Sequence, residues 1–211
     1  MRLLRLSGLR LLLSVAAAWP MTSAGLSGWH FQSLSNQHNI GVASLDSQTA
    51  VVLGVSRGQI RRTTDGGDTW TTVVSGTQEY LHGISFADSY AGTVVGENGT
   101  IIRSTDGGNT WTPQSSGVNA FLAGVSFSDE NNGTVVGESG TILRTTNGGD
   151  TWTSQDGQTT SFLTAVSFVG SDVGFIVGDA GTIAVAAERR SERTPAAHCF
   201  LLWRSPLFSA H

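Results

Sequence analysis

Arginines recur at a fixed step along the middle of the chain, and they are the residues best suited to bind a ligand. Arg62, Arg103 and Arg144 are evenly spaced, since their sequence numbers differ by a constant 41. Each follows a recurring isoleucine by two positions, so alternation along a strand places all three on one face. A guanidinium group binds carboxylates and backbone carbonyls through a planar fork of donors. These arginines are candidates for binding a partner, but recurrence serves the stacking of repeats equally well, and the sequence favours a structural salt bridge to an acid on the neighbouring repeat.

Catalytic and metal-binding chemistry finds little support in the residue types. All 12 basic residues are arginine, which excludes a Schiff-base lysine and a P-loop lysine. Tyr80 and Tyr90 lie near Glu79 and Asp88, but in predicted loops and without a second catalytic motif. The five histidines and Cys199 lack metal-ligand spacing. We therefore predict a protein that is not an enzyme and holds no metal or cofactor.

Charge divides the chain into three parts. Residues 1–24, 25–187 and 188–211 carry formal charges of +3, −9 and +2. The acidic middle argues against nucleic acid as a partner, because a nucleic-acid-binding surface is basic. The terminal segment 188–211 breaks every pattern that precedes it, and we expect an aberrant tail without fixed structure. A docking tail and a shifted reading frame are the alternatives.

The segment 1–24 has the three regions of a secretory signal. Basic residues come first, the apolar run Leu11 to Trp19 follows, and Thr22 to Ala24 form a small-residue cleavage site. Ser14 and Pro20 interrupt the apolar run, which is shorter than the ~20 residues of a spanning helix. We predict an exported protein, whether secreted, periplasmic or thylakoid-lumenal, with no membrane span in the mature chain; a membrane anchor is the alternative.

An internal repeat organises residues 25–187. Trp29, Trp70, Trp111 and Trp152 recur at the same step of 41 as the arginines, which we call the repeat period. A period of about 40 to 45 residues with short β-rich segments is typical of propeller blades, which are four-stranded sheets. We predict an all-β propeller of about four such blades. The fourth repeat has only three predicted strands before residue 188. The segment Trp29 to Leu34 would supply the fourth strand of this last blade and close the ring. An open arc from a longer, truncated propeller is the alternative.

A turn rich in Asp, Asn and Gly precedes each of the last three repeated tryptophans. Asp or Asn accepts backbone N–H groups across such a turn, glycine permits the bend, and tryptophan covers the hairpin. The turn is therefore predicted to be structural. Its residues are Asp65, Gly67 and Trp70, then Asp106, Gly108 and Trp111, then Asn147, Gly149 and Trp152.

These turns resemble the Asp-box (BNR) repeat, whose pattern is Ser/Thr-x-Asp-x-Gly-x-Thr-Trp. The longer segment at 140–152, GTILRTTNGGDTW, is similar to the photosystem II assembly and stability factor family. The resemblance covers about residues 29–187. It implies a β-propeller that acts without catalysis as a scaffold for another protein, with a photosystem II subunit or precursor as a candidate partner. The alternative is a secreted, sialidase-like Asp-box protein that binds or hydrolyses glycans.

Overall fold

The computed structural model describes residues 38–170 and 173–187, which form short strands joined by tight turns. The predicted signal at 1–24, the closing strand at Trp29 to Leu34 and the tail at 188–211 all lie outside the described residues. The strands are β1 Asn39–Ser44, β2 Ala50–Gly54, β3 Gln59–Thr63, β4 Thr71–Val74, β5 Leu81–Phe86, β6 Gly92–Gly96, β7 Ile101–Ser104, β8 Thr112–Gln114, β9 Leu122–Phe127, β10 Gly133–Gly137, β11 Ile142–Thr145, β12 Thr153–Ser154, β13 Leu163–Val169, β14 Val173–Gly178 and β15 Ile183–Ala187.

Each repeat folds into its own antiparallel sheet. Strands β1–β4, β5–β8 and β9–β12 make sheets 1, 2 and 3, and β13–β15 make sheet 4, always in chain order. Because neighbouring strands are consecutive, tight hairpin turns suffice to join them. The fold is therefore all-β, with the blades of a propeller, as the repeat period predicts.

The first strands of successive sheets face one another, and the fourth strands lie at the far edges. Strand β5 contacts β1 and β9, and β9 contacts β13. The backbone N–H of Phe127 in β9 donates to the Ser85 hydroxyl in β5 at 3.1 Å, and Phe168 donates to Ser126 at 3.2 Å. Pro113 lies in the edge strand β8, where the N–H that proline lacks is not required by a neighbour.

The hydrophobic core lies between successive sheets. Val94 and Val95 are adjacent in β6 and fully buried, yet Val94 packs in the cluster shared with sheet 1 and Val95 in the cluster shared with sheet 3. Successive side chains of a strand point to opposite faces, so a sheet packed on both sides needs a continuous apolar run. A third cluster, which contains Val136, Ile142 and Leu163, joins sheets 3 and 4.

Candidate functional site

The Asp-box turns connect the third and fourth strands of sheets 1, 2 and 3, and a side-chain oxygen closes each one. In sheet 2, Asp106 Oδ1 accepts the Thr110 backbone N–H at 2.9 Å and the Ser104 hydroxyl at 2.8 Å. Its Oδ2 accepts the Thr110 hydroxyl at 2.7 Å. The carboxylate therefore joins the end of β7 to the residues that lead into β8.

The first turn repeats this arrangement with an aspartate, and the third repeats it with an uncharged asparagine. Asp65 Oδ1 accepts the Thr69 N–H at 2.9 Å, and Asn147 Oδ1 accepts the Thr151 N–H at 3.0 Å. The hydroxyl and N–H of Thr69 and the hydroxyl of Thr63 lower the pKa of Asp65 to about 2. In the third turn, the Asn147 amide instead donates to the Thr151 hydroxyl. An amide thus preserves the turn without the charge.

A buried hydroxyl at the end of the third strand completes the turn; it is the Ser or Thr that begins the Asp-box pattern, to which the sequence alone assigned no role. Ser104 is 1% exposed, and its Oγ accepts the Gly108 N–H at 2.8 Å while it donates to Asp106. Thr63 and Thr145 occupy the equivalent positions and make the equivalent bonds. The repeat spacing carries this signal, because a hydroxyl residue ends the third strand in each of these three repeats.

The second glycine of each turn has a positive φ, and in sheets 2 and 3 it also lies close to a side chain of the preceding sheet. Gly67, Gly108 and Gly149 have φ values of 97°, 81° and 92°, a region in which L side chains are strained. A Cβ at Gly108 would also come within 2.9 Å of the Val51 side chain in sheet 1. Glycine therefore lets the turn of one sheet approach the preceding sheet.

The tryptophans pack beside the turns. Trp111 is 6% exposed, lies in the core shared by sheets 1 and 2, and meets Phe86 edge to face with centroids 6.1 Å apart. Trp152 repeats the contact with Phe127 at 6.0 Å. Trp70 is partly buried. The edge-to-face arrangement is the one that aromatic quadrupoles favour.

Two of the three recurring arginines contact backbone carbonyls of the next sheet. Arg62 Nε donates to the Gly107 carbonyl at 2.7 Å, within the Asp-box turn of sheet 2. Arg103 donates to the Glu130 carbonyl of sheet 3 at 2.7 Å and to the Thr93 hydroxyl at 3.0 Å. The structural alternative predicted carboxylate partners, but within residues 38–170 and 173–187 none of the three arginines forms an ion pair.

Arg144 packs against an aromatic ring, and within the described residues its Nε has no hydrogen-bond partner. Its guanidinium lies 5.9 Å from the centroid of the Phe168 ring, and the Nε atom is buried. Arg62, Arg103 and Arg144 are all half-buried. Burial lowers the pKa of Arg103, while the carboxylates of Asp88, Asp150 and Glu130 oppose that shift. The guanidinium groups stay charged at neutral pH and form a row at the Asp-box end of the sheets.

The side chains considered for glycosidase chemistry lie apart. Tyr80 directly precedes β5, whereas Tyr90 follows its other end and is 68% exposed. The Glu79 carboxylate accepts the Asn98 amide, and Asp88 accepts the N–H groups of Tyr90 and Ala91. Across the described ranges, no three His, Cys, Asp or Glu side chains gather as a metal ion would require.

Solved structures with a similar fold include two YCF48 proteins and a GH74 enzyme. YCF48 bound to a D1 peptide is 17% identical, with a TM-score of 0.53 over 75% of this chain and 66% of that chain. YCF48 from Cyanidioschyzon merolae is 19% identical, with a TM-score of 0.60 over 69% and 49%. The GH74 enzyme of Niastella koreensis is 19% identical, with a TM-score of 0.57 over 71% and 28%. This chain thus spans about two thirds and one half of the two YCF48 chains, and at these identities the likeness is one of fold.

A search of curated proteins finds no match, but the profile of one sequence family matches this chain. The profile of the photosynthesis system II assembly factor YCF48 matches residues 69–158 and 122–187. Together the two ranges span more than half of the chain and contain the second and third Asp boxes, Arg103 and Arg144. This protein belongs to the YCF48 family of photosynthesis system II assembly factors.

Proposed function

We propose that this protein is a non-catalytic scaffold that binds another protein during assembly, with a photosystem II subunit or precursor as its partner. Family membership supports the class of function, and the D1 peptide bound to a YCF48 of similar fold supports the kind of partner. The proposed export depends on residues 1–24; in the described part, no helix has the length and apolar character needed to cross a membrane.

The observation that carries the proposal is the row of half-buried guanidinium groups at the Asp-box end. Arg62 uses one donor for the next sheet, and the buried Nε of Arg144 donates to no described residue. An arginine carries five N–H donors in a fixed fork, and the bonds to described residues use one donor of Arg62 and two of Arg103, which leaves donors for carboxylates or carbonyls of a bound peptide. A partly buried cation also interacts more strongly than an exposed one, because water screens it less.

The test is binding of peptides that tile the D1 sequence to the full chain, measured by fluorescence anisotropy. Changing Arg62, Arg103 and Arg144 together to Gln should weaken binding at least tenfold. Added salt should weaken the parent steadily and the triple variant much less. Arg61→Gln is the matched control, because Arg61 neighbours Arg62 on β3 but points to the opposite face; it should change binding less than twofold.

Thermal and urea unfolding show whether the three arginines bind a partner or stabilise the packing of the sheets. Arg62→Gln and Arg103→Gln should each lose about 1 kcal/mol of stability, since each removes hydrogen bonds to the body of the protein. A loss of several kcal/mol in the triple variant with unchanged peptide affinity would assign the arginines to inter-sheet support alone. Turnover of a fluorogenic sialoside, abolished by substitution of Tyr80 or Tyr90, would favour the glycosidase alternative.

A further inference from the structure

The end of the sheets opposite the Asp boxes carries a row of aromatic rings. Tyr80, Phe121 and Phe162 follow the repeat period, and each directly precedes the first strand of its sheet. All three are half-buried. Phe121 and Phe162 have centroids 5.5 Å apart, and the His82 ring has its centroid 4.3 Å from that of Phe121. The Phe121 and Phe162 rings are thus in contact across sheets 3 and 4, and Tyr80 occupies the equivalent position of sheet 2.

A row of carboxylates accompanies the rings. Glu97, Glu138 and Asp179 also follow the repeat period and lie in the turns between the second and third strands. Their backbone N–H groups donate to the carbonyls of Tyr80, Phe121 and Phe162 at 2.9, 2.9 and 2.8 Å. Each acid is therefore held beside one aromatic residue by the backbone of its own sheet. We call these six residues the aromatic–acidic rim.

The chain itself places a cation on the first ring of this rim. The Arg57 guanidinium lies 5.3 Å from the centroid of the Tyr80 ring. The equivalent positions in the next two repeats are Asn98 and Ser139, and among the described residues no arginine lies over Phe121 or Phe162. Arg57 thus occupies one of three similar positions, and at the other two the described residues place no arginine beside the ring, although the His82 ring packs on Phe121.

We infer that the aromatic–acidic rim binds a cationic segment of a partner protein, with arginine or lysine side chains beside Phe121 and Glu138 and beside Phe162 and Asp179. A cation over an aromatic face gains electrostatic attraction from the ring, and an adjacent carboxylate adds an ion pair. Burial lowers the pKa of the His82 imidazole, and the Glu97 carboxylate, whose Oε1 lies 3.8 Å from His82 Nε2, opposes that shift.

This surface is separate from the arginine row of the proposed function. Turns between the second and third strands of a hairpin series lie at one end of a sheet, and turns between the third and fourth lie at the other. The rim occupies the first end and the Asp boxes the second. The two surfaces differ in charge as well, so failure of one does not imply failure of the other.

The test uses a fluorescein-labelled hexa-arginine peptide and the full chain, with affinity measured by anisotropy at low salt. Phe121→Leu and Glu138→Gln should each weaken binding roughly three- to tenfold. Asp68→Asn is the matched control, since it removes the same charge from an exposed position in an Asp-box turn; it should change affinity less than twofold. Arg57→Gln should tighten binding, because it frees the Tyr80 ring, whereas Arg61→Gln removes the same charge without freeing a ring and should not.

Three results would overturn the inference. Equal weakening by Asp68→Asn and Glu138→Gln would show attraction to overall charge alone. Indifference to Phe121→Leu, in a variant that melts like the parent, would remove the rings from the site. Salt-independent binding of the neutral sugar cellohexaose, with no binding of the peptide, would assign the rings to a glycan.

Discussion

At the scale of single residues, the Asp-box turn depends on side-chain oxygens that accept hydrogen bonds from backbone N–H groups and from hydroxyl groups. One oxygen of Asp65 accepts both the Thr69 N–H and the Thr63 hydroxyl, and the other accepts the Thr69 hydroxyl. All of these bonds favour the ionised carboxylate, which is why its pKa falls to about 2 from an ordinary value of 3.8. Asn147 keeps the acceptor in the third turn but cannot titrate.

The residue-scale prediction concerns acid unfolding. Because the folded pKa of Asp65 lies below the unfolded value, its contribution to stability is complete above about pH 4 and is lost as the pH falls from 3.8 through 2. Asp65→Asn should therefore flatten the fall in urea midpoint between pH 5 and pH 2. Asn147→Asp should steepen it by adding a similar group. Parallel pH profiles for parent and both variants would contradict this assignment.

At the scale of the elements, each hairpin is held by contacts to its own sheet and to the preceding one. Trp111 follows the turn of sheet 2, yet it packs in a cluster with Val51, Leu53 and Ile60 of sheet 1. Its indole N–H donates to the Gly108 carbonyl at 3.2 Å, so the polar edge of the ring is satisfied although it is buried. The turn therefore also joins two sheets.

The element-scale prediction concerns the stability that the protein loses when the Trp111 ring is removed. Trp111→Ala should destabilise the protein by about 3–5 kcal/mol, because a buried aromatic leaves a cavity. Trp111→Phe should lose much less stability, since a phenyl ring retains part of the edge-to-face contact with Phe86. Urea unfolding followed by circular dichroism measures both. A Trp111→Ala variant that unfolds like the parent but loses peptide binding would make the turn a binding site instead.

At the scale of the whole molecule, the sheets are equivalent in sequence but not in surroundings. Ile101 and Ile142 are 1% and 2% exposed, whereas Ile183, at the same repeat position in sheet 4, is 57% exposed. Val95 and Val136 are fully buried, whereas the equivalent Val177 is 43% exposed. Among the described residues, no further sheet packs on this face of sheet 4.

The corresponding prediction compares two identical substitutions. Ile101→Ala should lower the free energy of unfolding by about 2–5 kcal/mol, as expected for a fully buried side chain. Ile183→Ala should lower the free energy of unfolding by roughly 0.5 kcal/mol or less, as substitutions at exposed positions usually do. Differential scanning calorimetry of the full chain measures both. Equal costs would show that the exposed face of sheet 4 is covered in solution.

The sequence by itself determined the repeating unit. The repeat period, the Asn-Gly and Asp-Gly turns and the Asp-box pattern predict four-stranded sheets with an outer fourth strand, and the strands form at those places. These features depend on local chemistry: backbone preferences of Gly and Asn, side-chain bonds within a few residues, and the alternation of apolar positions. Periodicity alone also fixes which residues share a face.

Only the tertiary structure decided what those faces meet. Arg62 reaches the Gly107 carbonyl in the next sheet, and neither its residue type nor its spacing distinguishes that acceptor from a carboxylate. Tyr80, Phe121 and Phe162 recur with the same period as the tryptophans, but the Phe121 and Phe162 rings meet only because sheets 3 and 4 pack together. Ile183 matches Ile101 in sequence and differs from it in burial, because burial depends on the neighbour that covers a face and not on the residue that forms it.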